Sequence, residues 1–488
     1  MNRPSILIAT LAASAALASD PGPDGGRPRL IVLTDIGGDP DDMQSMRRLM
    51  LYANEFEIVG LIASASGTPG EVGRAVTRPE LILEIIDDYE SVVADLRRHA
   101  EGYPEPDALR AVVRSGDPER GVANIGEGRS TGGSELIAGA IEQPGRPLHV
   151  AIWGGAHDLA QALSDLRDRH PPDRLEGMLG RLRVYAIADQ DRWRGAPQGT
   201  GEWIRGQFPE LRYVESGPPG SDRFAAAFRG MYQNDSKGGG EPVVPLVGDE
   251  VARLDQVGWV ERNVRAGHGE IGEDYPIVGQ NPGSARNTRG VKEGDTPSWF
   301  FVLPNGLGDP GEPTFGGWGG RFRRDEGGHF VDAEDEHPSG EPYAGLRQKW
   351  TVARWRRAYQ HDFAARLDWC VTGPDEANHP PVAVIDGEAG RGFAIREAEP
   401  GSTVTLDASG STDPDGDAIA FRWWIYREPT DLDATASISG EDSPRAELRI
   451  PAEATRGTVH VILEVEDDGD PGLVGYRRVL VRVGSGAP

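Results

Sequence analysis

Apolar and polar positions recur at different periods in the two halves of this chain. Leu30-Ile31-Val32-Leu33 is an unbroken apolar run that stops at Thr34-Asp35, as a buried parallel strand does where it meets a loop. Met43, Met46, Leu49 and Met50 then follow at helical spacing across 41–52, and Ile58-Val59-Gly60-Leu61-Ile62-Ala63 is again continuous. Strand, helix and strand in that order predict a right-handed βαβ unit. The rhythm returns with a strand over 148–153, a helix over 158–166, a strand over 182–188 and a helix over 202–208. This alternation predicts an α/β domain around a mainly parallel sheet. From 243 to 335 the periodicity gives way to Gly- and Pro-rich loops, before a long helix predicted over 346–370. Beyond Asn378-His379-Pro380-Pro381 the period falls to two. Segments 402–406, 421–426 and 459–465 predict the antiparallel strands of a C-terminal all-β, immunoglobulin-like sandwich. The expected units are 28–372 and 379–488.

Charge narrows the partners. With 51 Lys and Arg against 78 Asp and Glu, the net charge of −27 repels phosphate backbones, so nucleic acid is not an expected ligand. Arg3, the apolar run 6–18, and Ala16 and Ala18 have the form of a signal peptide over 1–18, which predicts a secreted or periplasmic protein. No later run approaches the length of a membrane span, so no membrane insertion is expected. Cys370 is the single cysteine, which excludes an intrachain disulfide.

The candidate chemistry lies directly after the first strand. Thr34-Asp35-Ile36-Gly37-Gly38-Asp39-Pro40-Asp41-Asp42 places four carboxylates within eight residues, at the sheet edge where α/β folds gather ligands. Such crowding is relieved by a hard cation with oxygen ligands, or it belongs to a solvated turn that caps the next helix. Asp189-Gln190-Asp191 follow another strand and are candidates to hydrogen-bond a substrate; His157 and His268 are weaker candidates as acids. Trp299, Phe300, Phe301, Trp318 and Phe322 sit among the glycine loops, where rings either stack on sugar faces or fill the core. Trp423 and Trp424 must point to opposite faces of one strand.

The acidic segment resembles the nucleoside hydrolase superfamily, whose first strand ends in Asp-x-Asp-x-x-x-Asp-Asp. Asp41-Asp42 match its close, while Gly37 stands where the family has Asp and Asp39 follows two residues later. A second segment, Val150-Ala151-Ile152-Trp153-Gly154-Gly155-Ala156-His157-Asp158-Leu159-Ala160, is similar to the family's strand that donates a backbone carbonyl to calcium. The resemblance implies a Ca²⁺ cofactor held by Asp39, Asp42, the Trp153 main chain and a late Asp. Asp295 is the expected late ligand, with Asp274 and Asp309 as alternatives. It also implies Asp41 as a substrate ligand and Asp35 or Asp39 as the catalytic base. Closer still, the chain resembles secreted nucleoside-hydrolase-like proteins described as cellulose-binding, in which such a domain precedes an immunoglobulin-like one. Thr34 to Ser45, Val184 to Asp191, Glu293 to Ser298 and Pro304 to Leu307 carry that likeness.

N-glycosidic cleavage needs an activated water and anions that stabilise an oxocarbenium-like state, which clustered carboxylates around Ca²⁺ would supply. The expected function is calcium-dependent hydrolysis of a glycosyl bond, with a glycoside or polysaccharide-derived substrate. The alternative is a carbohydrate-binding protein that kept the fold without the reaction.

Overall fold

A computed structural model describes residues 26–38, 40–65, 76–193, 198–218, 225–234, 256–277, 290–340 and 344–484. The export segment read in 1–18 and the candidate Asp39 lie outside these residues. Six strands run parallel: β1 (Arg29–Thr34), β2 (Glu57–Ala63), β3 (Val113–Ser115), β4 (Leu148–Ile152), β5 (Leu182–Ile187) and β6 (Arg212–Ser216). A short antiparallel pair, β7 (Gln233–Asn234) with β8 (Gly290–Val291), lies apart from them. β9 (Phe322–Arg324) and β10 (Phe330–Asp332) complete an eight-stranded sheet in the order β3-β2-β1-β4-β5-β6-β10-β9, with β9 antiparallel at its edge.

β1 is unbroken in apolar character because both of its faces are covered. Leu30 and Val32 pack with Met46, Leu49 and Met50 of α1 (Asp41–Leu51) and with Ile82, Ile85 and Tyr89 of α2 (Pro79–His99). Ile31 and Leu33 pack on the other side with Ile137, Leu159 and Leu163. Parallel register pairs Leu33 with Ile152 and Thr34 with Ala63. The carboxyl ends of β1, β2 and β4 therefore finish level, and their loops share one edge.

The helix expected over 346–370 is two helices, Ala344–Ala353 and Arg356–Asp368. The break turns Trp355 into the rings of Trp424, Tyr426 and Tyr476 from the C-terminal half, with centroids 5.7–6.0 Å apart. That half is a sandwich of β11 (Ala394–Ala398), β12 (Thr403–Asp407), β13 (Ile419–Ile425), β14 (Ser437–Ser439), β15 (Arg445–Arg449), β16 (Gly457–Asp467) and β17 (Val474–Val483). Four strands in the order β11-β17-β16-β13 face three in the order β12-β15-β14. Trp423 is buried in the sandwich core, whereas Trp424 packs on Trp355, so the two rings do take opposite faces. Buried Asp335 joins the halves by accepting from Arg321, Arg354 and the Tyr426 hydroxyl at 2.6–2.8 Å. No helix among the described residues is long and apolar enough to cross a membrane.

Candidate active site

Loops after β1, β4 and β5 converge at the carboxyl edge of the sheet, and the acidic residues converge with them. Thr34, the last residue of β1, is fully buried; its hydroxyl accepts the Ile36 N–H at 3.2 Å and donates to Asp42 Oδ1. One side chain thus ties the strand end to the first turn of α1. There Asp41 and Asp42 also meet the positive end of the helix. Asp41, Asp42 and Asp295 each offer an oxygen within 4.8 Å of the others. Opposite ligands of Ca²⁺ are separated by about twice the 2.3–2.6 Å metal–oxygen distance, so this spacing and all-oxygen donor set fit a hard divalent cation.

Asp295 lies some 250 residues further along and is brought in by α1 itself. Gln44 donates to the carbonyls of Pro276 (2.6 Å) and Gly290 (3.1 Å) and accepts the Lys292 N–H (2.7 Å). One turn on, fully buried Arg48 forks onto Glu293 at 2.5 and 3.0 Å and also donates to Gln360 and the Tyr359 carbonyl. Tyr275 and Thr296 donate to the same Glu293 carboxylate at 2.6 and 2.8 Å. Residues 41, 44 and 48 are one helical turn apart. The helix that presents two carboxylates therefore holds, on adjoining turns, the segment that presents the third. Asp274 and Asp309 take other places: Asp274 ends the helix Gly269–Glu273, and Asp309 accepts the Gly311 N–H at 2.6 Å.

Asp35 is buried at the end of β1, outside the group of three, and packs against the backbone of Gly154. A Cβ at Gly154 would lie 2.6 Å from the Asp35 Cγ, so only glycine permits this approach. Gly155 does the same for Asp191, whose carboxylate accepts from Thr200 and lies 3.9 Å from Arg120. The Trp153 carbonyl accepts from the Gln190 amide, and the Trp153 indole donates to Ser298 (2.8 Å), whose hydroxyl donates to the Asp295 carbonyl (2.6 Å). Asp189 is buried rather than in an open loop. Its two oxygens accept the Gly201 and Glu202 N–H groups at 3.1 and 2.8 Å, and burial raises its pKa against those bonds.

Gly37 has φ +93°, and a Cβ there would meet Arg78 Cδ at 2.5 Å and Leu81 Cδ1 at 2.9 Å. The backbone is thus shaped around the missing carboxylate as well as lacking it. His157 is buried 3.7 Å from Asp117, and burial lowers its pKa against the pull of Asp191 and Asp117. His268 pairs with Asp368 at 3.0 Å, away from this edge. Beside His157, Asp158 accepts the Asp117 N–H at 2.9 Å, and burial pushes its pKa up to about 7. Trp299, Phe300, Trp318 and Phe322 are buried and Phe301 is packed against them, so these rings build the core. A cavity of ≈ 420 Å³, lined by Tyr52, Glu55, Trp318, Arg366, Arg391 and Tyr476, opens between the two halves, apart from the acidic edge.

A parallel sheet with an acidic carboxyl edge, backed by a sandwich, defines a two-part α/β protein of nucleoside-hydrolase-like architecture. The chain belongs to the family described as cellulose-binding Sde182, nucleoside hydrolase-like domain, which matches residues 29–322; the cellulose-binding protein Sde0182 C-terminal domain matches 403–483. Among solved structures it is similar to a nucleoside hydrolase-related hypothetical protein from Saccharophagus degradans associated with carbohydrate metabolism. That protein shares 30% identity over 94% of this chain and 100% of its own, with a TM-score of 0.75. An inosine-uridine preferring nucleoside hydrolase from Bacillus anthracis shares 11% identity over 49% of this chain and 70% of its own; its TM-score of 0.24 is too low to bear on the fold. No curated protein matches the sequence.

Proposed function

We propose that this protein is an exported, Ca²⁺-dependent hydrolase of a glycosyl bond, acting at the carboxyl edge of the sheet on a glycoside or polysaccharide fragment. The observation that carries the reading is the convergence of Asp41, Asp42 and Asp295, each offering an oxygen within 4.8 Å of the others, at the carboxyl edge of the sheet. Asp42, Asp295 and the Trp153 carbonyl would hold the cation, with Asp39 completing the set, while Asp41 reaches the sugar hydroxyls. Bound there, Ca²⁺ would grip vicinal hydroxyls and acidify a water. Asp35 would accept the proton of the attacking water as the glycosyl bond breaks, the departing group would take its proton from solvent, and the surrounding carboxylates would stabilise positive charge at the anomeric carbon. Asp191 and Gln190 line the β5 side of the edge and contact the substrate. The family's cellulose-binding description supports a carbohydrate ligand.

A second reading, carbohydrate binding without turnover, is favoured by Gly37, where φ +93° and the close side chains of Arg78 and Leu81 oppose a further carboxylate. Calorimetric Ca²⁺ titration of the full chain and its Asp42→Asn variant, followed by a screen of nucleosides and plant oligosaccharides, separates the two. Hydrolysis that Asp35→Asn abolishes while ligand affinity persists supports the enzyme. Saturable binding with no product supports the binding protein.

A further inference from the structure

The seam between the halves closes around a space. Its volume of ≈ 420 Å³ lies within the range of small-ligand sites, about 300–1,000 Å³, which favour domain junctions. Leu303 and Trp318 line it from the α/β half, Val474 and Tyr476 from the sandwich, and Pro381 from the linker. The Trp318 and Tyr476 rings meet edge-on, with centroids 6.2 Å apart. Two glycines hold these walls close. A Cβ at Gly306 would lie 2.3 Å from the Tyr476 carbonyl oxygen, and one at Gly475 would lie 2.1 Å from that of Pro381, so the loop after Leu303 and the linker both press onto β17. A second cavity of ≈ 280 Å³ shares Leu303, Pro304 and Arg391 with the first, so the cleft runs on beyond the seam.

The charged groups in the wall of the larger cavity are spent on one another. Buried Glu55 accepts from Arg366 at 3.1 Å and from Arg391 at 2.6 Å; against the pull of burial, Arg391 and Arg366 hold its carboxyl below the usual range. Arg366 also donates to Asp362 at 3.0 Å. Two acids and two bases therefore cancel, and a charged ligand would meet no net opposite charge. Neutral hydrogen-bonding capacity is left over. Asn305 Oδ1 accepts the Leu307 N–H at 3.2 Å, which fixes the orientation of the amide and leaves Nδ2 a buried donor without an acceptor. A fold seldom leaves such a donor unpaired. Asp362 takes the Tyr52 hydroxyl and Arg366 on Oδ1 alone, so among the described residues its Oδ2 still has room to accept.

We infer that this cleft is a second carbohydrate site, which takes an uncharged oligosaccharide at the seam, apart from the acidic edge. The inference rests on the carbohydrate ligand proposed above for the class of molecule, and on the cavity for its place. A sugar hydroxyl both donates and accepts, so hydroxyls satisfy Asn305 Nδ2 and Asp362 Oδ2 without displacing either ion pair. The apolar face of a pyranose suits Trp318, Tyr476 and the prolines, which offer surface without charge. An organic anion would have to compete with Glu55 and Asp362 for the arginines, and a purely apolar ligand would leave the Asn305 amide unpaired. Beyond Leu303 and Pro304 the second cavity receives further sugars of the same chain. A ligand held from both halves braces the seam.

The test is binding of cellohexaose and xylohexaose to the full chain, followed by calorimetry and hydrogen exchange, with trigalacturonate as the charged counterpart. A neutral hexasaccharide should slow the amides of 305–307, 382–383 and 474–476 in the unmutated chain. Asn305→Asp keeps the acceptor for Leu307 but removes the donor, and should weaken binding roughly three- to tenfold, as loss of one hydrogen bond does. Asp42→Asn, which disables the acidic edge, should leave that binding unchanged. Protection confined to 35–45 and 153–158 overturns the seam site while leaving the carbohydrate reading intact. Affinity that Asn305→Asp does not alter, tighter binding of trigalacturonate than of either neutral sugar, or no binding of the neutral sugars also overturns it. Product formation in the same solutions judges the acidic edge on its own, so the two readings fail separately.

Discussion

Arg48 is the residue whose loss should reach furthest. Both it and Glu293 are fully buried, and they are joined by a two-bond fork at 2.5 and 3.0 Å. Replacing Arg48 by Met keeps much of the volume and the contact with Phe363, whose ring centre lies 3.7 Å from the guanidinium. It leaves a carboxylate with no cation, and breaking a buried pair from one side costs about 3–5 kcal/mol. Glu293 keeps the Tyr275 and Thr296 hydroxyls as donors, which places the expected loss near the lower end, about 3 kcal/mol. Glu293 is two residues from Asp295, so Ca²⁺ affinity at the acidic edge should fall as well. Urea denaturation followed by tryptophan fluorescence measures the first effect and calorimetry the second. Arg48→Met with Glu293→Gln should recover part of the loss, since the neutral amide leaves no uncompensated charge, although its single oxygen can accept from only one of the Tyr275 and Thr296 hydroxyls, which bond different oxygens of Glu293. A single variant that loses under about 1 kcal/mol, or a double variant whose loss equals the sum of the singles, would refute the idea that this pair holds Asp295 in place.

Thr34→Val keeps the strand residue's shape but removes the donor to Asp42, and should weaken Ca²⁺ binding about tenfold by calorimetry, as loss of an outer-shell partner does. Gly37→Asp, which restores the superfamily pattern, should lower stability by about 1–3 kcal/mol without tightening Ca²⁺, because φ +93° and the contacts with Arg78 and Leu81 oppose any side chain. Asp158 has a folded pKa near 7, above its unfolded value, so it binds its proton more tightly when folded. The stability it confers is present below about pH 4 and lost as pH rises toward 7. Asp158→Asn mimics the protonated form and should flatten that slope, raising the melting temperature at pH 8 more than at pH 5; an equal shift at both would show that Asp158 is ionised throughout.

The sequence carried the centre of the fold more clearly than its margins. β1, α1, β2, β4 and β5 were legible because two-sided burial makes a parallel strand continuously apolar, and one-sided burial gives α1 its period. The apolar stripe of α2, Ile82, Ile85, Ile86, Tyr89, Val92, Val93 and Leu96, has the same helical period. β9 and β10 were not legible, since three-residue strands have no measurable period. Nor was the break at Trp355, which no Gly or Pro announces and which exists because the ring is wanted by the sandwich. At the acidic edge, Asp35, Asp41 and Asp42 were visible as a cluster. The grip of Gln44 and Arg48 on Glu293 was not, although charged residues on the inward face of a helix are the trace such a network leaves. Trp299 and its neighbours could be read either way because a buried ring and a sugar-stacking ring have the same sequence signature.

Trp355 sits in one continuous core with Tyr426 and Tyr476, and Arg478 of β17 donates to the carbonyls of Phe315 and Gly316 across the junction. A sandwich attached in this way is not a detachable accessory. Severing it would strip aromatic rings and a buried arginine of their partners on both sides at once, so the halves should melt together rather than in turn. Over evolutionary time the same seam removes a freedom that tethered modules enjoy: recombination cannot exchange this sandwich for another binding domain without also rewriting the last helices of the α/β half. The two must drift as a pair, each substitution at the seam answered from the other side.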